Sequence, residues 1–184
     1  MASGGGAVLA GGGAKPKPHP PAPPKPTPSV DDLTAPTEGC SARELLRIVQ
    51  KNNGAVLQLS ELFESRFADL VTEGRADEYA PLCETFKPLF GACSANLSRV
   101  EAALAAPQPA LASMVKTCRV AEERRFELEL QRQVLRQRMS RAEDEEQQEL
   151  RKQLKAVEAE QGGRVEVIRE TLEELRAEEY DLEE

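Results

Sequence analysis

Four cysteines, Cys40, Cys83, Cys93 and Cys118, and a single histidine, His19, are the side chains here best suited to nucleophilic or metal chemistry. No two cysteines have the C-x-x-C spacing of a zinc ligand pair or a redox couple. Cys83 and Cys93 lie ten residues apart on a helical stretch, roughly 15 Å along its axis, too far to share one metal ion. They read as small hydrophobes in packing positions, while a cross-helix site that uses Cys118 stays open. His19 sits in a proline-rich tail. The usual base for a cysteine or serine nucleophile and the usual metal imidazole are therefore missing. The sequence reads as non-enzymatic, with no cofactor and no metal centre expected.

Carboxylates are abundant, but the runs Glu143–Glu146 and Glu173–Glu184 lack the glycine turn and alternating ligands of a calcium loop. They read as solvated helix faces, or as an acidic contact for a basic partner. A basic band, with Arg132, Arg136 and Arg138 as candidate phosphate contacts, is interleaved with Glu122, Glu123, Glu127 and Glu129. Pairs three or four residues apart stabilise a helix by a few tenths of a kcal/mol each. A net charge of -8, a pI near 5.0 and the scarcity of stacking aromatics make direct nucleic-acid binding the weaker reading.

The tail from Met1 to about Glu38 is rich in glycine, then proline, and reads as disordered. Its glycine triplets precede Lys15, but Pro16 follows where a phosphate loop needs Ser or Thr. "PPAPPK" fits P-x-x-P-x-K, which makes Pro20, Pro23 and Lys25 a candidate docking motif on an extended polyproline helix.

The elements that must carry these residues are helical. Only 4% of the 184 residues are aromatic, and tryptophan is absent, so helices packed along seams are expected rather than a thick core. Ser41 precedes Glu44 by three, a capping box, and a stripe from Leu45 through Leu70 repeats at spacings of four and three. Gly74 suits a left-handed cap for this first predicted helix. Pro81 fits the first turn of a second, and Pro88 should bend it near Glu84. "APQP" separates a third helix, read as running from Ala110 to about Gln161, near 75 Å at 1.5 Å per residue. Two adjacent glycines, Gly162 and Gly163, cost about 2 kcal/mol inside a helix; they mark either a hinge or a phase shift in a continuous helix.

The fold class is thus all-α: an antiparallel three-helix bundle or coiled coil with a long projecting third helix and a C-terminal helical extension. The division is a tail over residues 1–38, a helical domain over 39–139 and an acidic extension over 140–184. The apolar line Leu128, Leu135, Met139, Leu150, Leu154 and Val157 outruns the two shorter helices. That seam should be completed by another chain, a partner or a second copy. No apolar run is long enough to cross a membrane.

Residues 41 to about 138 resemble the required-for-excision 1-B domain family. The likeness lies in Phe67 and Leu70 before "TEG", Tyr79 in the link, and Phe86, Leu97, Val100, Glu101 and Leu104 on the second helix. It continues in "PQPALASMVK", followed by Glu122, Glu123 and Gln131. The resemblance implies a helical subunit or adaptor in nuclear DNA excision repair, and it brings no catalytic or cofactor positions. The alternative is a coiled-coil scaffold subunit of a cytoskeletal, ciliary or trafficking complex, since both roles use amphipathic helices that bind other helices.

Overall fold

The computed structural model describes residues 27–182, which form α1 (Val30–Leu33), α2 (Ala42–Thr72), α3 (Tyr79–Leu104), α4 (Pro109–Met139) and α5 (Asp144–Asp181). A single 3₁₀ turn, Ala76–Glu78, leads into α3, and no strand occurs among the described residues.

The signals at the helix ends act locally as their chemistry dictates. Ser41 and Glu44 close a reciprocal capping box: the Ser41 backbone N–H donates to Glu44 Oε2 at 2.8 Å, and the Glu44 N–H donates to Ser41 Oγ at 3.3 Å. At the other end of α2, Gly74 has φ +71°. Its N–H reaches the Val71 carbonyl at 3.3 Å, and the Arg75 N–H reaches that of Leu70 at 2.9 Å, the paired bonds of a Schellman cap. Pro81 stands in the first turn of α3, and α3 continues as helix through Pro88.

The long projecting helix does not form. α4 stops at Met139, a four-residue turn over Ser140–Glu143 follows, and α5 returns antiparallel along α4. α4 therefore has 31 residues, as many as α2, and is about 46 Å long. The charges at the helix ends suit the reversal. Arg136 and Arg138 lie in the last turn of α4, while Asp144, Glu145 and Glu146 open α5, each matching the nearest helix-dipole end. Gly162 and Gly163, read as either a hinge or a phase shift, lie inside unbroken α5. The neighbouring Gln161 and Ile168 tie this stretch to the bundle.

The four long helices run up-down-up-down. One core gathers Leu46 and Val49 of α2, Val100 and Leu104 of α3, Val115 and Cys118 of α4, and Ile168, Leu172 and Leu175 of α5. A second, aromatic core holds Phe63 of α2 with Phe86 of α3, flanked by Phe90 and Phe126. The seam expected to await another chain is covered by α5 of the same chain: Leu128 and Leu150 are buried, and Leu135, Met139, Leu154 and Val157 partly so. Helix also forms within the stretch read as tail. Ser29 caps α1, and Leu33 packs on the aromatic core.

Candidate protein-docking groove

The aromatic core is open on one side. Four of the five phenylalanines meet there: the Phe63–Phe86 centroids are 5.0 Å apart, Phe63–Phe126 5.9 Å, and Phe90 stacks on Phe126 at 4.1 Å with 30° between the ring planes. Stacked and tilted pairs at these separations are favourable beyond their buried area. Phe90 and Phe126 are only half-buried, and their exposed edges line a groove of about 270 Å³ between α3 and α4. Gly91, exposed on α3, lines the groove, and a Cβ placed there would meet nothing within 4 Å.

The rim is polar. Lys87 of α3 stands on one side, and Arg119, Glu122, Glu123 and Glu127 of α4 on the other. Arg119 bridges the two helices, 3.1 Å from Glu101 and 3.0 Å from Glu123. Ser94 Oγ donates to Glu123. Glu122 is held by Arg125 at 2.8 Å and Glu127 by Arg124 at 2.9 Å, while Glu123 and Glu127 keep 44% and 62% of their side-chain surface exposed.

The side chains singled out for chemistry are otherwise engaged. Cys93 and Cys118 are buried, and removal from water, with Glu122 nearby, pushes their thiols up to about 11 and about 12. Burial also raises Cys83, and Cys40 is partly exposed. Among the described residues, no three metal-type side chains come together.

Arg132 contacts Glu129 at 2.8 Å and Glu64 at 2.9 Å. Arg136 contacts Glu64 at 3.0 Å, and Arg138 contacts Glu146 at 3.2 Å. The first of these belongs to a buried polar knot joining three helices. Gln133, fully buried, donates to Glu129 at 3.0 Å, and Gln161 of α5 donates to its other oxygen at 2.8 Å. Burial works against the Glu129 charge, but hydrogen bonding within the cluster of Glu64, Arg132 and Gln161 outweighs it and holds this carboxyl below its ordinary value. Pro20, Pro23 and Lys25, like His19, lie outside the described residues.

A family model described as DNA repair REX1-B matches residues 44–136, just over half of the chain. The chain belongs to that family. Membership in the DNA repair REX1-B family supports a DNA-repair-related role. The match starts at the capping glutamate of α2 and ends in the last turn of α4, so the family unit contains both walls of the groove. No curated protein and no solved structure matches the chain.

The groove is not legible in the sequence, although its parts are visible there. Phe90 and Gly91 are adjacent three residues after Pro88, and Phe126 lies on a ridge beside the α4 stripe. No spacing rule says that three such residues from two helices share one opening.

Proposed function

We propose that this member of the DNA repair REX1-B family is a non-enzymatic helical adaptor in nuclear DNA excision repair, which presents the α3–α4 groove to a protein partner. The observation that carries this reading is the accessible Phe90–Phe126 floor beside Gly91. Apolar grooves of this kind, rimmed by charges, accept an anchoring apolar side chain and orient it. The adaptor reading is also supported by the buried, protonated state of Cys93 and Cys118, which disfavours thiolate chemistry. The long heptad helix that favoured a coiled-coil scaffold is two antiparallel helices, and that alternative loses its main support.

The test is removal of ultraviolet photoproducts in cells lacking the protein. Removal should be slow, restored by the wild-type chain, and not restored by Gly91→Lys, which sets a long charged side chain at the groove's edge where a Cβ meets no clash, with circular dichroism to check that the variant folds. Normal photoproduct removal without the protein would sink the reading.

A further inference from the structure

Four serines of the described chain stand three residues before an acid: Ser29 before Asp32, Ser41 before Glu44, Ser98 before Glu101 and Ser140 before Glu143. Acid-directed serine kinases read that spacing, but it is also the spacing of a capping box, and the fold sorts the four. Ser29 Oγ donates to Asp32 at 2.7 Å and Ser41 Oγ to Glu44 at 2.8 Å, so both acids are turned back on their own hydroxyls. Ser98 lies inside α3, and Glu101 is held by Arg119 at 3.1 Å. Ser140 is exposed in the turn between α4 and α5, and its hydroxyl donates to the Gln137 carbonyl at 2.8 Å. Its acid, Glu143, has extended backbone with ψ 166° and makes no side-chain capping bond.

The residues around Ser140 favour reading from the acidic side. Asp144, Glu145 and Glu146 follow Glu143, and all are exposed. A kinase takes its acceptor segment in extended form, so the first turn of α5 has to open. That turn has no side-chain cap, and the contact it gives up is the Arg138–Glu146 pair at 3.2 Å, a surface pair of little net worth. The basic side is held more firmly: Arg136, in the last turn of α4, meets Glu64 of α2 at 3.0 Å.

We propose that Ser140 is a phosphorylation site for an acid-directed serine kinase, with Arg138 and Arg141 receiving the phosphate. In the transfer, Ser140 Oγ attacks the γ-phosphorus of ATP and forms the ester bond as the bond to the β-phosphate oxygen breaks. ADP leaves with the electron pair, and the hydroxyl proton passes to a carboxylate base of the kinase. The product carries about -1.5 to -2 at neutral pH. It stands at the C-cap of α4, where the helix dipole opposes a negative charge. Cations on either side offset this: Arg138 and Arg141 line one recess of about 260 Å³ with Gln137 and Ala142, and Arg141 makes no ion pair among the described residues. Arg138 then exchanges Glu146 for the phosphate, which loosens one of the contacts that close α5 on α4.

The experiment treats the full chain with ATP and a purified acid-directed serine kinase of the casein kinase II type, followed by intact-mass and peptide analysis. A single phosphate should appear, on the peptide that holds Ser140. Ser140→Ala should remove it and Ser140→Thr should keep it. Glu143→Gln, Asp144→Asn and Glu145→Gln together should slow transfer by about tenfold. The same phosphopeptide should be recovered from the chain isolated from cells with phosphatases inhibited. Phosphate on Ser29 or Ser41 in place of Ser140 overturns the inference, as does an unmodified Ser140 in the cellular chain. Transfer that ignores the carboxylate changes and is lost in Arg138→Gln overturns the acid-directed reading. Arg138 and Arg141 Nε–H signals that stay fixed on phosphorylation, followed by NMR, would reject the two arginines as receivers.

Discussion

Replacing Arg132 with alanine would remove the cation 2.8 Å from the Glu129 carboxylate, a residue only 9% exposed. Lost charged hydrogen bonds of this kind cost about 1–3 kcal/mol, and chemical denaturation should show a loss in that range. Because Glu129 is held below its ordinary value, its contribution is present above the unfolded value near 4.5 and is lost as pH falls through the folded one. Stability of the wild type should therefore drop below about pH 4.5 more steeply than that of Glu129→Gln, as read by urea midpoints across that range. The thiols behave oppositely. Cys93 and Cys118 are raised from 9.0 to about 11 and about 12, so the native state keeps protons that the unfolded chain gives up, and stability falls as pH rises from 9.0 toward those values. At neutral pH, alkylation followed by peptide mass analysis should mark Cys40 first and spare Cys93 and Cys118 until the protein unfolds. The cysteines are legible as packing residues from their spacing alone. Glu129 is not, because a glutamate set in a band of arginines reads as one more surface pair until a third helix covers it.

Individual helices differ in how openly they announce themselves. α2 is bracketed by a capping box and a left-handed glycine, Pro81 falls in the first turn of α3 and Pro109 opens α4, so the starts of three of the four long elements can be placed to within a few residues. The end of α4 is hidden because Ser140–Glu143 contains neither glycine nor proline, and because the apolar stripe resumes in α5 with compatible spacing. A heptad pattern reports which face is apolar and is silent on whether the chain has reversed. Read with dipoles in mind, "RQRMSRAEDEE" carries basic residues ending one helix and acidic residues starting the next. Gly162 and Gly163 leave hinge and continuous helix open for the converse reason: their cost is real, yet packing on both sides of them exceeds it. Both are exposed, and a methyl group at either position would meet nothing within 4 Å, so Gly162→Ala and Gly163→Ala should each stabilise the protein by about 0.5–1 kcal/mol, seen as a raised Tm. Leu150→Ala, at a side chain 1% exposed between α4 and α5, should cost about 2–5 kcal/mol in the same assay.

The whole molecule is a bundle whose family-defining stretch, residues 44–136, shares its core with a helix outside that stretch. Ile168, Leu172 and Leu175 fill the space between α2 and α4, and Arg47 meets Glu179 at 3.0 Å. With the seam closed internally, the chain has less need of a second copy, and sedimentation of the full chain should give a single species whose mass does not grow with concentration. Dimer formation at micromolar concentration would show that another apolar face is shared. The short turn at Ser140–Glu143 has a consequence for how the protein could be divided. Here the backbone can be cut between two elements already held together along their whole length. A specific protease site inserted there should yield two fragments that remain a single particle after cleavage. The same two pieces, expressed apart, should find each other and rebuild the bundle, which would turn this small repair-family protein into a split reporter with α5 as its detachable half.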